Sequence, residues 1–413
     1  METWLKEQLT YGAKYFIPSL LKYPVTPKEN ERLRTLRAKT GGMIHGLCRA
    51  DDPGKADLLR AAGVNWGRTG IAFPFDADGG VSEDFRRDLE RLRRFRESGV
   101  KVLVTTPSVG YFLGRGIDPR TPEGEEKTRT VARFIMQQLQ GLASGVCICN
   151  EIGIPRFGHP LNMDQAVRFL GVQAEAMAPF KGDIIVGYNT VGPQADQHYK
   201  MRPWFPYLDY VGFDMYIGCF FPVLTQLGIF ALIAKYLWAF TGMPVMLVEF
   251  GYLAAGAPKS KAEKKAVLQK YGANSEKEAK AHIEDFLAHF NETGRKYVEK
   301  CATKGKANYV FGPDFVNHLY CELPRLVRIK GCPHTQEGQA EFYRRLLPRL
   351  EKLPFLAGMF IYTASDDSRC GICGQAECPT ETQWGLCTAD GTPKKGYYAV
   401  QEIWGSAGNQ ANS

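Results

Sequence analysis

Residues 145–151, Gly-Val-Cys-Ile-Cys-Asn-Glu, combine a short apolar run with a polar pair at its end. An amphipathic stretch over 163–178 follows this run. A short apolar run followed by a segment of helical periodicity is typical of a βα unit, whose strand is buried on both faces. The segment therefore predicts a strand of a parallel sheet, with Asn150 and Glu151 at its carboxyl end.

The same pattern recurs along the chain. We expect further strands at 42–48, 64–69, 100–105, 183–189, 209–216, 244–250 and 356–362. Eight strands separated by helices predict an α/β fold of the (β/α)8 TIM barrel type. An open doubly wound sheet is the alternative, but no glycine-rich dinucleotide-binding turn follows an early strand.

The strand pattern also predicts the domain boundaries. We expect an N-terminal helical cap over 1–41, the barrel over 42–404 and a C-terminal tail over 405–413. The connection between strands seven and eight is far longer than one helix needs, and we interpret 255–334 as a helical insertion. A pocket-building role and a structural or oligomerising role for this insertion both stay open, and so does a homo-oligomer.

Composition and charge limit the classes of partner. An apolar fraction of 44% and a charged fraction of 23% are ordinary for a globular protein. The net charge of +8 is modest over 413 residues, and acidic and basic residues are interspersed, as in 86–91. No nucleic-acid-binding motif accompanies the charge, so we expect no nucleic-acid partner.

The most apolar run spans 219–240 and is interrupted by Pro222, Gln226 and Lys235. Because expected strands flank it closely on both sides, the run predicts a buried barrel helix rather than a membrane span. We expect no membrane partner. The chain opens on a polar amphipathic stretch without the pattern of a secretory signal, which predicts a cytoplasmic location.

Two expected strands end in a glutamate, Glu151 after strand four and Glu249 in Val-Glu-Phe-Gly at 248–251. Burying a carboxylate in apolar surroundings is costly unless it is paired, hydrogen-bonded or neutral, so these positions suggest a functional site. Strands four and seven lie across a (β/α)8 barrel from each other, and chemistry occurs at its C-terminal face. Two carboxyls in one cleft suit glycoside hydrolysis, at about 5–5.5 Å for retention or about 6.5–9.5 Å for inversion.

The Asn-Glu pair at 150–151 and the strand-final Glu249 resemble clan A of the glycoside hydrolases. This superfamily includes the family 5 cellulases and mannanases and many β-glycosidases. The resemblance implies that Glu151 is the acid/base, Glu249 the nucleophile and Asn150 a ligand of the sugar 2-hydroxyl. Clan A chemistry uses no metal, and we expect no cofactor.

Further residues extend the resemblance. Arg68, in Gly-Val-Asn-Trp-Gly-Arg at 63–68, is similar to the strand-two arginine beside the nucleophile, and Tyr216 to the strand-six tyrosine that contacts it. Trp384, in Trp-Gly-Leu at 384–386, is similar to the closing segment of many clan A enzymes, and we expect it to contact the substrate. Two positions depart from family 5, since strand eight offers Tyr362 where a tryptophan is usual and strand three lacks its histidine. We expect His45 to serve nearby instead.

These residues predict hydrolysis of a β-linked oligosaccharide or β-glycoside by double displacement, through a covalent glycosyl-enzyme. Transglycosylation by the same two glutamates is one alternative, and a catalytically silent sugar-binding barrel is another. An unrelated barrel enzyme, such as a lyase or metal-dependent hydrolase, is a third. That alternative needs several metal ligands at strand ends, for which only His45 and Asp214 are candidates.

A cysteine cluster follows strand eight, at Cys370, Cys373, Cys378 and Cys387. The spacing of two, four and eight intervening residues would allow a tetrahedral structural zinc site. Free thiols are the alternative in a cytoplasmic protein, and disulfides are the alternative outside the cytoplasm. Cys147 and Cys149 alternate within a strand-like run and are predicted to be small core residues.

Overall fold

The chain folds as a closed barrel of eight parallel strands, in which each strand pairs with the next and β8 pairs with β1. The computed structural model describes residues 10–16, 30–220, 225–270, 272–281 and 321–405, with the single positions 292, 295 and 296. The predicted (β/α)8 fold is confirmed. The strands are β1 Ile44–Cys48, β2 Trp66–Gly70, β3 Lys101–Thr105, β4 Gly145–Cys147, β5 Ile185–Val191, β6 Tyr210–Met215, β7 Val245–Phe250 and β8 Leu356–Ile361.

Strand β4 is shorter than predicted, because it ends at Cys147 and not at Glu151. The Ile148 N–H still donates to the Gly187 carbonyl at 2.8 Å, but regular pairing then stops. Cys149 and Glu151 have φ angles of 58° and 43°, in the left-handed region that non-glycine residues rarely adopt. Such residues cluster at functional sites, and here they turn the chain at the barrel rim.

Helices follow the strands, and several of them begin with a capping residue whose side chain binds a backbone N–H of the first turn. Ser82 is the N-cap of α3 and accepts a hydrogen bond from the Phe85 N–H, and Asn162 forms a capping box with Gln165 at α7. The helices are α1 Glu31–Thr40, α2 Ala56–Ala61, α3 Glu83–Glu97, α4 Val109–Leu113, α5 Pro122–Gln138, α6 Pro155–Gly158, α7 Met163–Met177, α8 Ala195–Lys200, α9 Gly228–Thr241, α10 Lys261–Lys270, α11 Glu276–Ala281, α12 Gln336–Glu351 and α13 Lys395–Val400.

Helix α1 lies at the N-terminal face of the barrel. Arg37 donates from Nη2 to the carbonyls of Pro354 and Leu356, at the start of β8, at 3.3 Å each. Asn30 donates to the Gly242 carbonyl just before β7 at 3.0 Å. Leu33 and Leu36 are buried beneath the helix. This end of the barrel is therefore covered, and the opposite end carries the strand-final polar residues.

The long connection between β7 and β8 contains α12, the barrel helix that precedes β8. Within the expected insertion at 255–334, the structure describes two helices, α10 and α11, and the stretch 321–334. Residue 271 and most of 282–320 lie outside the described residues, as do 406–413 of the expected tail. The domain boundaries stay predictions.

Helix α9 occupies part of the apolar run 219–240. Phe230, Ala234 and Leu237 are buried against the barrel core, as the interpretation of a buried barrel helix requires. Among the helices that the structure describes, none has both the length and the apolar character needed to cross a bilayer.

Candidate active site

Seven polar side chains meet at the C-terminal end of the barrel. Each comes from the last part of a strand or from the residues directly after it, where the sheet ladder stops and side chains reach the rim. The set comprises Arg68 on β2, Asn150 and Glu151 after β4, Asn189 on β5, Asp214 on β6, Tyr216 after β6 and Glu249 on β7.

Glu249 is held through both carboxylate oxygens. Arg68 donates from Nη1 to Oε1, and the Tyr216 hydroxyl donates to Oε2 at 2.6 Å. The side chains of Arg68 and Glu249 are only 7% and 13% exposed. A buried guanidinium and a phenol aimed at one carboxylate stabilise its negative charge and its orientation. The structure thus brings together the three residues that the sequence predicted around strand seven.

Arg68 also links Glu249 to Asn150. Its Nη2 donates to Asn150 Oδ1 at 2.7 Å, and Asn189 Nδ2 donates to the same oxygen at 2.9 Å. These two bonds orient the Asn150 amide, because Oδ1 must be the acceptor. The Asn150 Nδ2 group makes no hydrogen bond to any described residue, so it can donate to a hydroxyl of a bound molecule.

Glu151 occupies a different environment from Glu249. Its backbone N–H donates to Asn189 Oδ1 at 3.3 Å. Burial, together with the negative charge of Glu249, raises the pKa of Glu151 to about 7. A carboxyl with this pKa is about half protonated at neutral pH, whereas Glu249 is paired with a guanidinium. Two carboxyls in contrasting environments are the arrangement that separates an acid from a nucleophile.

Asp214 is a third carboxyl that the sequence interpretation considered only as a metal ligand. It is 1% exposed, and its Oδ2 accepts from Asn189 Nδ2 at 2.5 Å. Burial first, and then the charges of Glu249 and Glu151, raise the pKa of Asp214 well above its usual range. Glu151 and Asp214 are thus neighbouring carboxyls, and a proton held by either one relieves the charge repulsion between them.

Asp214 and Asn189 could have been found in the sequence. Asp214 interrupts the apolar strand run Val-Gly-Phe-Asp-Met at 211–215, so the cost of burying a carboxylate applies to it as it does to Glu249. The sequence pattern places Asn189 at the end of the fifth expected strand, 183–189. Its amide contacts Asn150 and Asp214, which makes it the centre of the hydrogen-bond network.

An aromatic wall borders Glu249. The Trp384 ring lies 5.0 Å from Tyr216 and 6.1 Å from Tyr362, centroid to centroid, and stacks on Phe220 at 6.0 Å. Trp384 is only 2% exposed, and its Nε1 donates to the Thr380 carbonyl at 2.7 Å. The indole therefore supports Tyr216 and Tyr362 from behind, in place of the substrate contact expected for it. Tyr362 is half-buried, and its ring lies 5.8 Å from the Tyr216 ring.

His45 is not part of this site, which corrects its expected role. It is the second residue of β1, pairs in register with Met359, and stacks on the Trp404 ring at 4.6 Å. Its Nε2 lies 3.4 Å from Glu351, at the end of α12. Because parallel strands all run toward the C-terminal face, a residue at the start of β1 lies near the opposite end.

The positions of His45 and Asp214 also bear on the metal-dependent alternative. They belong to opposite ends of the barrel, so they cannot bind one ion together. Within the described part of the chain, the one group of His, Cys, Asp or Glu side chains that converges closely enough to bind a metal is Cys321, Cys370, Cys373 and Cys378. Cys321 takes the place in this cluster that the sequence predicted for Cys387. The backbone of Cys387 pairs with Ser365 and Pro393 instead.

Cys147 and Cys149 are fully buried core residues, as predicted.

Comparison with known proteins extends the fold assignment. No family model matches the sequence, and no curated protein matches it. An exo-β-1,4-mannosidase from Opitutaceae bacterium strain TAV5 superposes with a TM-score of 0.54 at 15% identity, over 90% of this chain and 60% of that one. The GH53 catalytic domain of Ignisphaera aggregans gives 0.51 at 15% identity, over 88% and 96%.

Longer enzymes also match. Bacteroides uniformis β-glucuronidase 2 gives a TM-score of 0.52 at 15% identity, over 88% of this chain and 35% of that one. The chain spans about half the length of the GH2 β-galacturonidase of Eisenbergiella tayi, of which it covers 51%. At such low identities the likeness concerns the fold alone. These structural neighbours are glycoside hydrolases, and this chain has the barrel fold that they have.

Proposed function

We propose that the chain is a retaining glycoside hydrolase that cleaves a β-linked oligosaccharide or β-glycoside. Glu249 attacks the anomeric carbon, and the glycosidic C–O bond breaks while Glu151 gives its proton to the departing oxygen. Glu151, now a carboxylate, then takes a proton from water. The water oxygen bonds to the anomeric carbon while the bond from this carbon to Glu249 breaks, which releases the sugar.

The observation that carries this proposal is the contrast between the two glutamates. Arg68 and Tyr216 each donate a hydrogen bond to one oxygen of Glu249, so the orientation of this carboxylate is fixed. Glu151 has a pKa of about 7, which suits a group that must give a proton and then take one back near neutral pH. If the two roles were reversed, the acid would have to be Glu249, whose carboxylate is paired with the Arg68 guanidinium.

Asn150 is the third functional group in the proposal. Its Oδ1 accepts from both Arg68 and Asn189, and its amide N–H groups make no hydrogen bond to any described residue. A donor fixed in this way next to Glu151 would bind the sugar 2-hydroxyl. Such contacts strengthen in an oxocarbenium-like transition state and stabilise it by several kcal/mol.

The substrate is proposed only as a class. The structural neighbours include enzymes named for β-1,4-mannoside, β-glucuronide and β-galacturonide cleavage, which makes these sugars the first to test. A cytoplasmic chain would act on short imported saccharides. Its cytoplasmic location is itself a prediction from the sequence.

The first experiment is a panel of 4-nitrophenyl β-glycosides that includes these three sugars. We expect release of nitrophenol by the wild-type chain and a loss of at least about 10³-fold in kcat for Glu249→Gln. The matched control is Glu83→Gln, a carboxyl on the exposed start of α3, which should retain full activity. Activity that survives both Glu249→Gln and Glu151→Gln would disprove the mechanism.

A second experiment separates the roles. A 2-fluoro β-glycoside with a good leaving group should inactivate the enzyme and leave a sugar adduct on a peptide containing Glu249. An adduct on another residue would reassign the nucleophile. Proton NMR of the first-formed anomer would show retention, and an inverted product would rule out double displacement. Binding of the glycosides without turnover would favour a silent sugar-binding barrel, and transfer to an added alcohol would favour transglycosylation.

A further inference from the structure

Four cysteines form a cluster outside the candidate active site. The sulfur atoms of Cys321, Cys370, Cys373 and Cys378 all lie within 4.8 Å of one another. All four residues are buried, at 3%, 1%, 1% and 0% exposed, and they pack with Ile372 as a small core of their own. They come from two distant segments, since 49 residues separate Cys321 from Cys370.

The distances fit a single metal ion. A zinc ion bound by four thiolates at about 2.3 Å in tetrahedral geometry places its sulfurs about 3.8 Å apart. Cys321 Sγ and Cys370 Sγ are 3.8 Å apart. A disulfide would need a sulfur–sulfur distance of about 2.05 Å, and none of the four cysteines forms a disulfide. A four-iron cluster binds each cysteine to a different iron and would hold the sulfurs farther apart than this.

The backbone around Cys370 is arranged for a thiolate. The N–H groups of Ile372 and Cys373 both point to Cys370 Sγ, at 3.3 Å and 3.4 Å. The short Cys-Gly-Ile-Cys turn at 370–373 supplies these donors. Hydrogen bonds from the surroundings to a ligand atom are how proteins orient metal ligands and stabilise their charge.

The cluster joins the two parts of the chain that border the aromatic wall. Cys321 lies in the connection between β7 and β8, before α12, and the other three cysteines lie in the loop after β8. The Cys378 carbonyl accepts from the Thr382 hydroxyl at 2.9 Å, and the Thr380 carbonyl accepts from Trp384. Fixing Cys378 thus fixes the segment that holds Trp384 behind Tyr216.

We propose that Cys321, Cys370, Cys373 and Cys378 bind one zinc ion as a closed structural site. The site joins the part of the β7–β8 connection that precedes α12 to the loop after β8. Four protein ligands leave no open position for water or substrate, so the ion stabilises the loop and takes no part in the chemistry. Cys387, which also follows β8, is not a ligand.

The full-length chain is produced in zinc-containing medium, and its metal content is measured by elemental mass spectrometry. We expect about one zinc per chain in the wild type and in Cys387→Ser, the matched control, and less than a tenth of that in Cys373→Ser. Cys321→Ser should lose zinc as well, because the distant segment supplies the fourth ligand. Zinc retained in both cluster variants, or lost equally in Cys387→Ser, would overturn the proposal.

The wild type gives a readout that does not depend on the folding of a variant. Replacing the ion by Co²⁺ should produce the intense visible bands and thiolate-to-metal charge transfer of a tetrahedral tetrathiolate site. Chelation should lower the melting temperature, and added Zn²⁺ should restore it. A wild-type chain that contains iron in place of zinc, or that takes up neither Zn²⁺ nor Co²⁺, would contradict the assignment.

Discussion

Asp214 of β6 and Glu249 of β7 are register partners in neighbouring parallel strands. Arg68 pairs with Glu249, while Asp214 faces the Asn189 amide and the Glu151 carboxyl. The carboxyls of Glu151, Asp214 and Glu249 thus lie close together. The Arg68 guanidinium contacts Glu249. Like charges so close cannot all be ionised in a buried site, so at least one proton stays on the Asp214–Glu151 pair near neutral pH.

We expect Asp214→Asn to shift the alkaline limb of the rate profile to lower pH. Asn at 214 would keep an acceptor for Asn189 and would donate permanently to Glu151. A donor to the carboxylate lowers its pKa, which is about 7 in the wild type. The check is kcat/KM against pH from 5 to 9. An alkaline limb that does not move would show that Asp214 does not tune Glu151.

We expect Tyr216→Phe to lower kcat by about 10- to 100-fold, the worth of one hydrogen bond to a charged group. The variant loses the donor to Glu249 Oε2 and keeps the ring against Trp384. The measurement is kcat and KM for the best aryl glycoside. Tyr398→Phe is the matched control, because Tyr398 is 54% exposed. An unchanged kcat for Tyr216→Phe would mean that the phenol does not orient the nucleophile.

We expect Arg68→Ala to destabilise the fold by about 3–5 kcal/mol, because it leaves a buried carboxylate without its partner. Arg60→Ala removes the exposed pair with Asp57 and should cost less than about 1 kcal/mol. Chemical denaturation gives both free energies of unfolding. The double variant Arg68→Ala/Glu249→Ala should recover part of the loss. Additive losses would argue against a direct pairing.

We expect Glu151→Gln to gain stability relative to the wild type as pH rises. The folded-state pKa of Glu151 is about 7 and its ordinary value is 4.5, so folding favours the protonated form. The contribution of Glu151 to the free energy of unfolding is fully present below about pH 4.5 and is lost as pH rises through about 7. Melting temperatures of both proteins from pH 5 to 8 test this. A constant difference between them would contradict the raised pKa.

We expect His45→Gln to leave kcat/KM within about twofold of the wild type and to lower the melting temperature, because the change removes a largely buried ring that stacks on Trp404. Burial lowers the pKa of His45 to about 4, so it is neutral at physiological pH. A large loss of kcat/KM without a loss of stability would return His45 to the active site.

Much of the barrel could be predicted, because hydrophobic periodicity is a local property. The runs at 42–48 and 356–362 became β1 and β8 with shifts of one or two residues at their ends. Strand β4 was the exception, since the left-handed φ angles of Cys149 and Glu151 do not follow from an apolar run. The position of His45 could also have been predicted. His45 is near the start of the expected strand at 42–48, and the start of a barrel strand lies near the N-terminal face.

By itself, the sequence determined the eight βα units and the pair of strand-final glutamates, because the burial cost of a carboxylate in an apolar run can be judged from neighbouring residues. Only the tertiary structure decided that Asn189 joins Asn150 to Asp214, that Trp384 lies behind Tyr216, and that Cys321 joins the cysteine cluster. These relationships depend on the register of separate strands and on contacts between segments far apart in the chain, which no local pattern encodes.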